Sequence, residues 1–141
     1  MRDRLVELAA RDLHGLTAAD DATGERWEAG QVWAHLAEFG GYWLGELDKV
    51  LDGAAEFGRV KSDPARVAAI EAGRHLPVSA HVEIVERALD VLRARLLAMT
   101  DDDWKRVSRH QTLGEMTIDD QLQHFHVGHY EEHADQLESL R

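Results

Sequence analysis

Apolar residues recur at alternating steps of three and four along Val82, Val85, Leu89, Leu92, Leu96 and Met99. That spacing lines one face of a helix, predicted over about 79–99 with Ser79 as its cap. A second stripe, Val32, Leu36, Phe39, Trp43, Leu47 and Val50, predicts a helix over about 28–52 that Gly53 ends. Gly40, Gly41 and Gly45 lie inside it. Each costs roughly 1 kcal/mol relative to Ala in a helix, which points to close backbone packing ahead of room for a ligand. Leu5, Leu8, Ala9, Leu13 and Leu16 predict an N-terminal helix over about 2–18. The connection 52–78 holds one short helix, capped by Ser62 or Asp63 with Pro64 at its first position. Thr100 and the three acids after it start another short helix, and a loop of about 15 residues precedes the last long one.

That last helix runs over about 117–139 from Thr117, and its stripe changes character. Ile118, Leu122 and Phe125 are followed at the same spacing by His129, then Glu132 or His133, then Gln136, before Leu140 restores the apolar pattern. The pattern as a whole predicts an all-α single domain over 1–141, a four-helix bundle with a helical crossover between helices two and three.

Composition narrows the chemistry. The chain has 141 residues, 27 acids against 16 Lys plus Arg, a formal charge of −11, nine His and no Cys. Disulfides, thiolate zinc sites and a Cys nucleophile are excluded. Phosphate affinity rests on clustered Lys and Arg, so the charge argues against nucleic acid as the main partner. The longest apolar runs fall far short of a membrane span, so a soluble cytoplasmic protein acting on a small molecule is expected.

Polar groups at a bundle's core must be satisfied or they cost about 1–3 kcal/mol each. Residues four apart share a helix face, so His129 and His133 can present both imidazoles to one metal ion. His126 lies on the same stripe, but at 1.5 Å per residue it is about 10 Å from His133 along the axis. The third ligand is therefore expected from another helix, and His35 beside the second stripe is the candidate. Three imidazoles with an open fourth position suit a substrate-accessible Zn, Ni, Fe or Cu site. His126 is left as a pocket acid or base, an alternate ligand, or a group behind the ligands. Glu38, three residues after His35, is expected on a solvated face ahead of a place near the metal, and His14, His75, His81, His110 and His124 on the surface. The four Trp, at 27, 33, 43 and 104, are expected to anchor the core or its boundary. For His35 to meet His129 and His133, helices two and four must run antiparallel. That requires an up-down-down-up order, and the long connection after helix two can span the roughly 33 Å this needs.

These residues resemble a known family. Trp27-Glu-Ala-Gly-Gln-Val-Trp-Ala-His35-Leu-Ala-Glu, then Gly114 to Leu122, then His129-Tyr-Glu-Glu-His133-Ala-Asp-Gln136-Leu, are similar to the DinB-like superfamily of metal-binding bundles, and the resemblance covers nearly the whole chain. The family includes bacillithiol and mycothiol S-transferases and a mycothiol-dependent maleylpyruvate isomerase. The isomerase branch tends to carry Glu where this chain has His129, which favours the DinB-like or transferase side. The resemblance implies the up-down-down-up bundle, a zinc or nickel ion on His35, His129 and His133, and a homodimer. The expected function is metal-dependent activation of a low-molecular-weight thiol, such as mycothiol or bacillithiol, toward a small electrophile. In that reading His126 moves a proton and Gln136 orients His133 from behind. The alternatives are a non-catalytic, stress-related metal-binding bundle and a metal-dependent hydrolase.

Overall fold

A computed structural model describes residues 1–21 and 23–141. The chain is mostly helical and carries a small three-stranded sheet, so it is not all-α as expected. The helices are α1 (Arg2–Ala9), α2 (Ala29–Leu51), α3 (Pro64–Gly73), α4 (Val78–Ala98), α5 (Ile118–Gln121) and α6 (His129–Glu138). A π-helical segment, Leu122–Gly128, joins the last two, and a short 3₁₀ turn, Asp103–Lys105, follows α4. No helix among the described residues is long and apolar enough to cross a membrane.

Every residue of the stripe predicted for α2 is buried. The helix begins with a reciprocal cap between Glu28 and Gln31, and Gly53, at φ 97°, follows its C-cap Asp52. Of its three inner glycines only Gly40 is packed tightly: a Cβ there would lie 2.3 Å from Tyr130 Oη and 3.0 Å from Ala88 Cβ. Gly41 and Gly45 face open space. Asp63, not Ser62, caps α3 by accepting a hydrogen bond from the Arg66 amide at 3.0 Å. At the far end of α3 a Cβ on Gly73 would lie 2.9 Å from Ala34 Cβ, and one on Gly30 would strike the Arg74 carbonyl. Small residues thus let α3 dock on the start of α2.

Two predicted helix boundaries are placed differently. Pro77 stands at the N-cap of α4, so Ser79 lies inside the helix and makes no cap bond. The first helix stops at Ala9 instead of reaching residue 18, because the chain finds other backbone partners. His14 and Arg141 exchange amide-to-carbonyl bonds in both directions, and Gly15 then adopts φ 97°. Leu16 is exposed, while buried Thr17 binds Trp27 through its amide and its hydroxyl, both at 2.9 Å.

The expected loop before the last helix is a hairpin of β2 (Val107–His110) and β3 (Gly114–Thr117), with β1 (Glu56–Phe57) added parallel to β2. Its buried positions on β2 are Ser108 and His110. The last helical run starts at Thr117, as predicted, and Asp120 completes a reciprocal capping box with it. Inside that run the π segment widens the helix by one residue. A Cβ on Gly128 would lie 2.8 Å from the Gln123 carbonyl oxygen five residues back, so this turn needs glycine.

Ring contacts set the helix directions. His35 meets His133, Phe39 meets His129 and Trp43 meets Phe125, so α2 and the final run are antiparallel. Gly40 faces Ala88 and Asp48 pairs with Arg95, so α2 and α4 point the same way. One core cluster gathers Leu5, Leu8, Trp33, Leu36, Val85, Tyr130 and Leu137; another gathers Phe39, Trp43, Leu47, Phe57, Ile118 and Phe125. The packing difference between neighbouring glycines is measurable by urea unfolding. Gly41→Ala is expected to stabilise the fold by up to about 1 kcal/mol, whereas Gly40→Ala lowers stability by about 1–3 kcal/mol through collision with buried Tyr130.

Candidate metal centre and its cavity

His35 projects from the second turn of α2, and His129 and His133 from the first two turns of α6. Their ligand nitrogens all lie within 4.8 Å of one another. His129 Nε2 is 2.9 Å from His35 Nε2 and 3.0 Å from His133 Nε2. Three imidazole nitrogens from two antiparallel helices therefore converge on one point.

Their surroundings fix the rings. Phe39 stacks on His129 at 3.5 Å, and Trp27 lies parallel to His133 at 6.1 Å and edge-on to His35 at 5.2 Å. His133 Nδ1–H donates to Gln136 Oε1 at 2.7 Å, which leaves the Nε2 lone pair of His133 pointing at the other two rings. Burial pushes His35 and His129 well below the ordinary imidazole range, and the charge of His133 adds to that effect. His133 is brought down to about 4 by burial, against the opposing pull of Gln136. All three are neutral at pH 7, the form in which imidazole binds metal.

The donor set fits a cation. With His133 Nε2 unprotonated, His129 offers at best one N–H shared between two lone pairs, whereas an ion accepts all three. Tetrahedral nitrogens at 2.0–2.1 Å from zinc would stand about 3.4 Å apart, so the observed contacts need only a slight opening. His35 Nδ1 is buried without a hydrogen-bond partner, and Glu38 Oε2 stands 3.9 Å from it. Glu38 is not on a solvated face: Arg59 holds both its oxygens at 2.6 Å. A carboxylate in that place steadies an imidazole from behind.

A cavity of about 770 Å³ opens beside the triad, within the size range of small-molecule sites. Trp27, Phe39, Trp43 and Phe125 supply its apolar wall, and Arg59, Lys61 and Arg66 approach from the segment after α2. Gln136 lines it, as do His110 and His124. His126 is not among the lining residues; it is buried elsewhere, which the sequence pattern did not distinguish.

Two histidines expected on the surface are buried. His81 Nε2 bonds the Gly73 carbonyl at 3.0 Å, and His110 packs among Trp43, Phe57 and Phe125. His14, His75 and His124 are exposed, as read. Trp33 and Trp43 are core residues, but Trp104 is exposed. The contribution of His110 was hidden because no strand was expected there. No family model matches the chain, and no curated protein matches it.

Burial alone brings His126 down to about 4. The unfolded chain takes up this proton near pH 6.5 and the folded chain does not. The stability it contributes is complete above about pH 6.5 and is lost progressively as pH falls toward 4, by about 3 kcal/mol in total. Urea unfolding between pH 7 and pH 4.5 is expected to show this slope, and His126→Leu to flatten it by one proton.

Proposed function

We propose that the protein is a divalent-metal-dependent enzyme that activates a low-molecular-weight thiol for transfer to, or isomerisation of, a small electrophilic molecule. The observation that carries this reading is the convergence of three neutral imidazole nitrogens beside an open cavity. A divalent ion held there would favour thiolate over thiol at neutral pH. The absence of Cys means the sulfur must come from a cosubstrate. Mycothiol or bacillithiol fits that requirement through the DinB-like resemblance, which also supports zinc or nickel, an up-down-down-up four-helix bundle carrying the hairpin as an addition, and a homodimer.

In this reading His35, His129 and His133 are the ligands. Gln136 is a positioning residue that fixes the tautomer of His133, and Glu38, anchored by Arg59, stands behind His35 in the same capacity. Phe39 and Trp27 hold the ligand rings in plane and exclude water from two sides. The burial of His126 away from the cavity gives no support to its role in proton transfer.

A hydrolase using water in place of the thiol is the second reading, favoured by the same open cavity; a purely structural metal bundle has no use for one. Adding a thiol separates the two reactions. Conjugation of a thiol to a generic aromatic electrophile is expected to fall to the uncatalysed rate after chelation and to return with zinc or nickel. Equal rates with and without metal overturn the proposal, and turnover without thiol selects the hydrolase. Metal affinity is expected to drop about 10–100-fold in Gln136→Leu and in Glu38→Ala, and metal content to vanish in His129→Ala, measured by competition with a chromophoric chelator.

A further inference from the structure

The cavity wall carries three cations beside Asp20, Glu25 and Glu132, and two of the cations have a carboxylate in direct contact. Arg59 is held by both oxygens of Glu38, and Lys61 donates to Asp20 Oδ2 at 3.0 Å. Arg66 differs. It is half-buried, its Nη1 donates to the Lys61 carbonyl at 2.9 Å, and no carboxylate lies within ion-pair distance of it among the described residues. Nε and Nη2 make no hydrogen bond among those residues and are not fully buried, and Arg66 lines the cavity.

Arg66 is also placed against the triad. Its guanidinium carbon lies 5.5 Å from the centre of the Trp27 ring, and Trp27 in turn lies parallel to His133. Its charge is felt by all three imidazoles. A half-buried cation without a counterion is costly unless an anion completes it. The Nε and Nη2 edge presents two parallel donors, the geometry that matches a planar carboxylate. One unpaired positive charge balances one negative charge, which favours a carboxylate over a phosphate dianion.

We infer that Arg66 is a substrate-anchoring residue, and that the cavity takes a small carboxylate-bearing molecule whose carboxylate pairs with the Nε and Nη2 edge of Arg66 while its apolar body lies along Phe39 and Trp43 toward His129. This deepens the proposed function and rests on it for the reaction that follows binding, but not for the binding itself.

Benzoate is a suitable probe, with benzamide as its neutral counterpart. Binding is followed by the fluorescence of the cavity tryptophans in zinc-loaded and in chelator-treated protein, with wild type, Arg66→Gln and Arg66→Lys compared. Benzoate is expected to bind the wild type more tightly than benzamide in both metal states. Arg66→Gln is expected to weaken benzoate about tenfold or more, with zinc content and benzamide affinity unchanged, and Arg66→Lys to retain part of the loss. If Arg66→Gln fails to fold, Arg66→Lys and the benzoate-to-benzamide ratio of the wild type carry the test. Equal affinity for benzoate in wild type and folded Arg66→Gln overturns the inference, as does no discrimination between the two probes by the wild type. Benzoate binding that depends on Arg66 in a protein that holds no zinc upholds the anchor and removes the metal reading alone.

Discussion

The ladder of ring contacts between α2 and the final helical run is the contact on which the molecule depends. His35 against His133, Phe39 against His129 and Trp43 against Phe125 are three rungs of one antiparallel interface. The lowest rung is apolar, and its Trp43 and Phe125 join Phe39 in the core around Phe57 and Ile118, so they supply hydrophobic burial. The upper rung is polar and is held in line by the rungs below. The convergence of the three imidazoles is thereby a by-product of aromatic packing: Phe39 belongs to the core and orients His129 with the same face. The long connection through α3 makes the ladder topologically accessible, since α2 and α4 can then run in the same direction.

Much of this is legible in the amino-acid order, because it rests on helical periodicity. The stripe from Val32 to Val50 buries as a unit, and the intrusion of His129 and His133 into an apolar stripe marks the positions that the structure gathers with His35. The hairpin is not legible for a definite reason. On β2 the inward residues are Ser108 and His110 and the outward ones Val107 and Arg109, so the period-two alternation is inverted or absent. The strand pairs locally with β3, and its inward polar residues are accommodated by partners remote in sequence, Ala54 for Ser108 and Phe57 for His110. The same remoteness conceals the burial of His81, whose partner is the end of α3, and the early stop of α1, which His14 and Arg141 bring about from opposite ends of the chain. Helical spacing likewise cannot show which side of a wide helix His126 faces once the turn has changed size.

The cavity gathers charges of both signs around a neutral triad. In a molecule of net charge −11, Arg59, Lys61 and Arg66 line it together with Asp20, Glu25 and Glu132, and the imidazoles are kept neutral by burial. Glu38 does not neutralise the site as a whole, since Arg59 engages both its oxygens. The result is a pocket that repels protons and is suited to receive a cation on nitrogen lone pairs at one point and an anion on a guanidinium at another. Acidic residues elsewhere lie mostly on outer faces, where water screens them.

The π segment ties this pocket to helical phase. One extra residue between Leu122 and Gly128 changes the rotation between the hairpin end of the run and its histidine end by about 100° relative to a continuous α-helix. Winding the same residues as a continuous α-helix would swing His129 and His133 off the face that carries Phe125, whereas removing one residue from this turn would regularise the hydrogen bonding and keep that phase. The width of this turn is therefore as much a determinant of the site as the identity of its residues. An α-helical winding, with every histidine retained, separates the triad from the aromatic wall it shares.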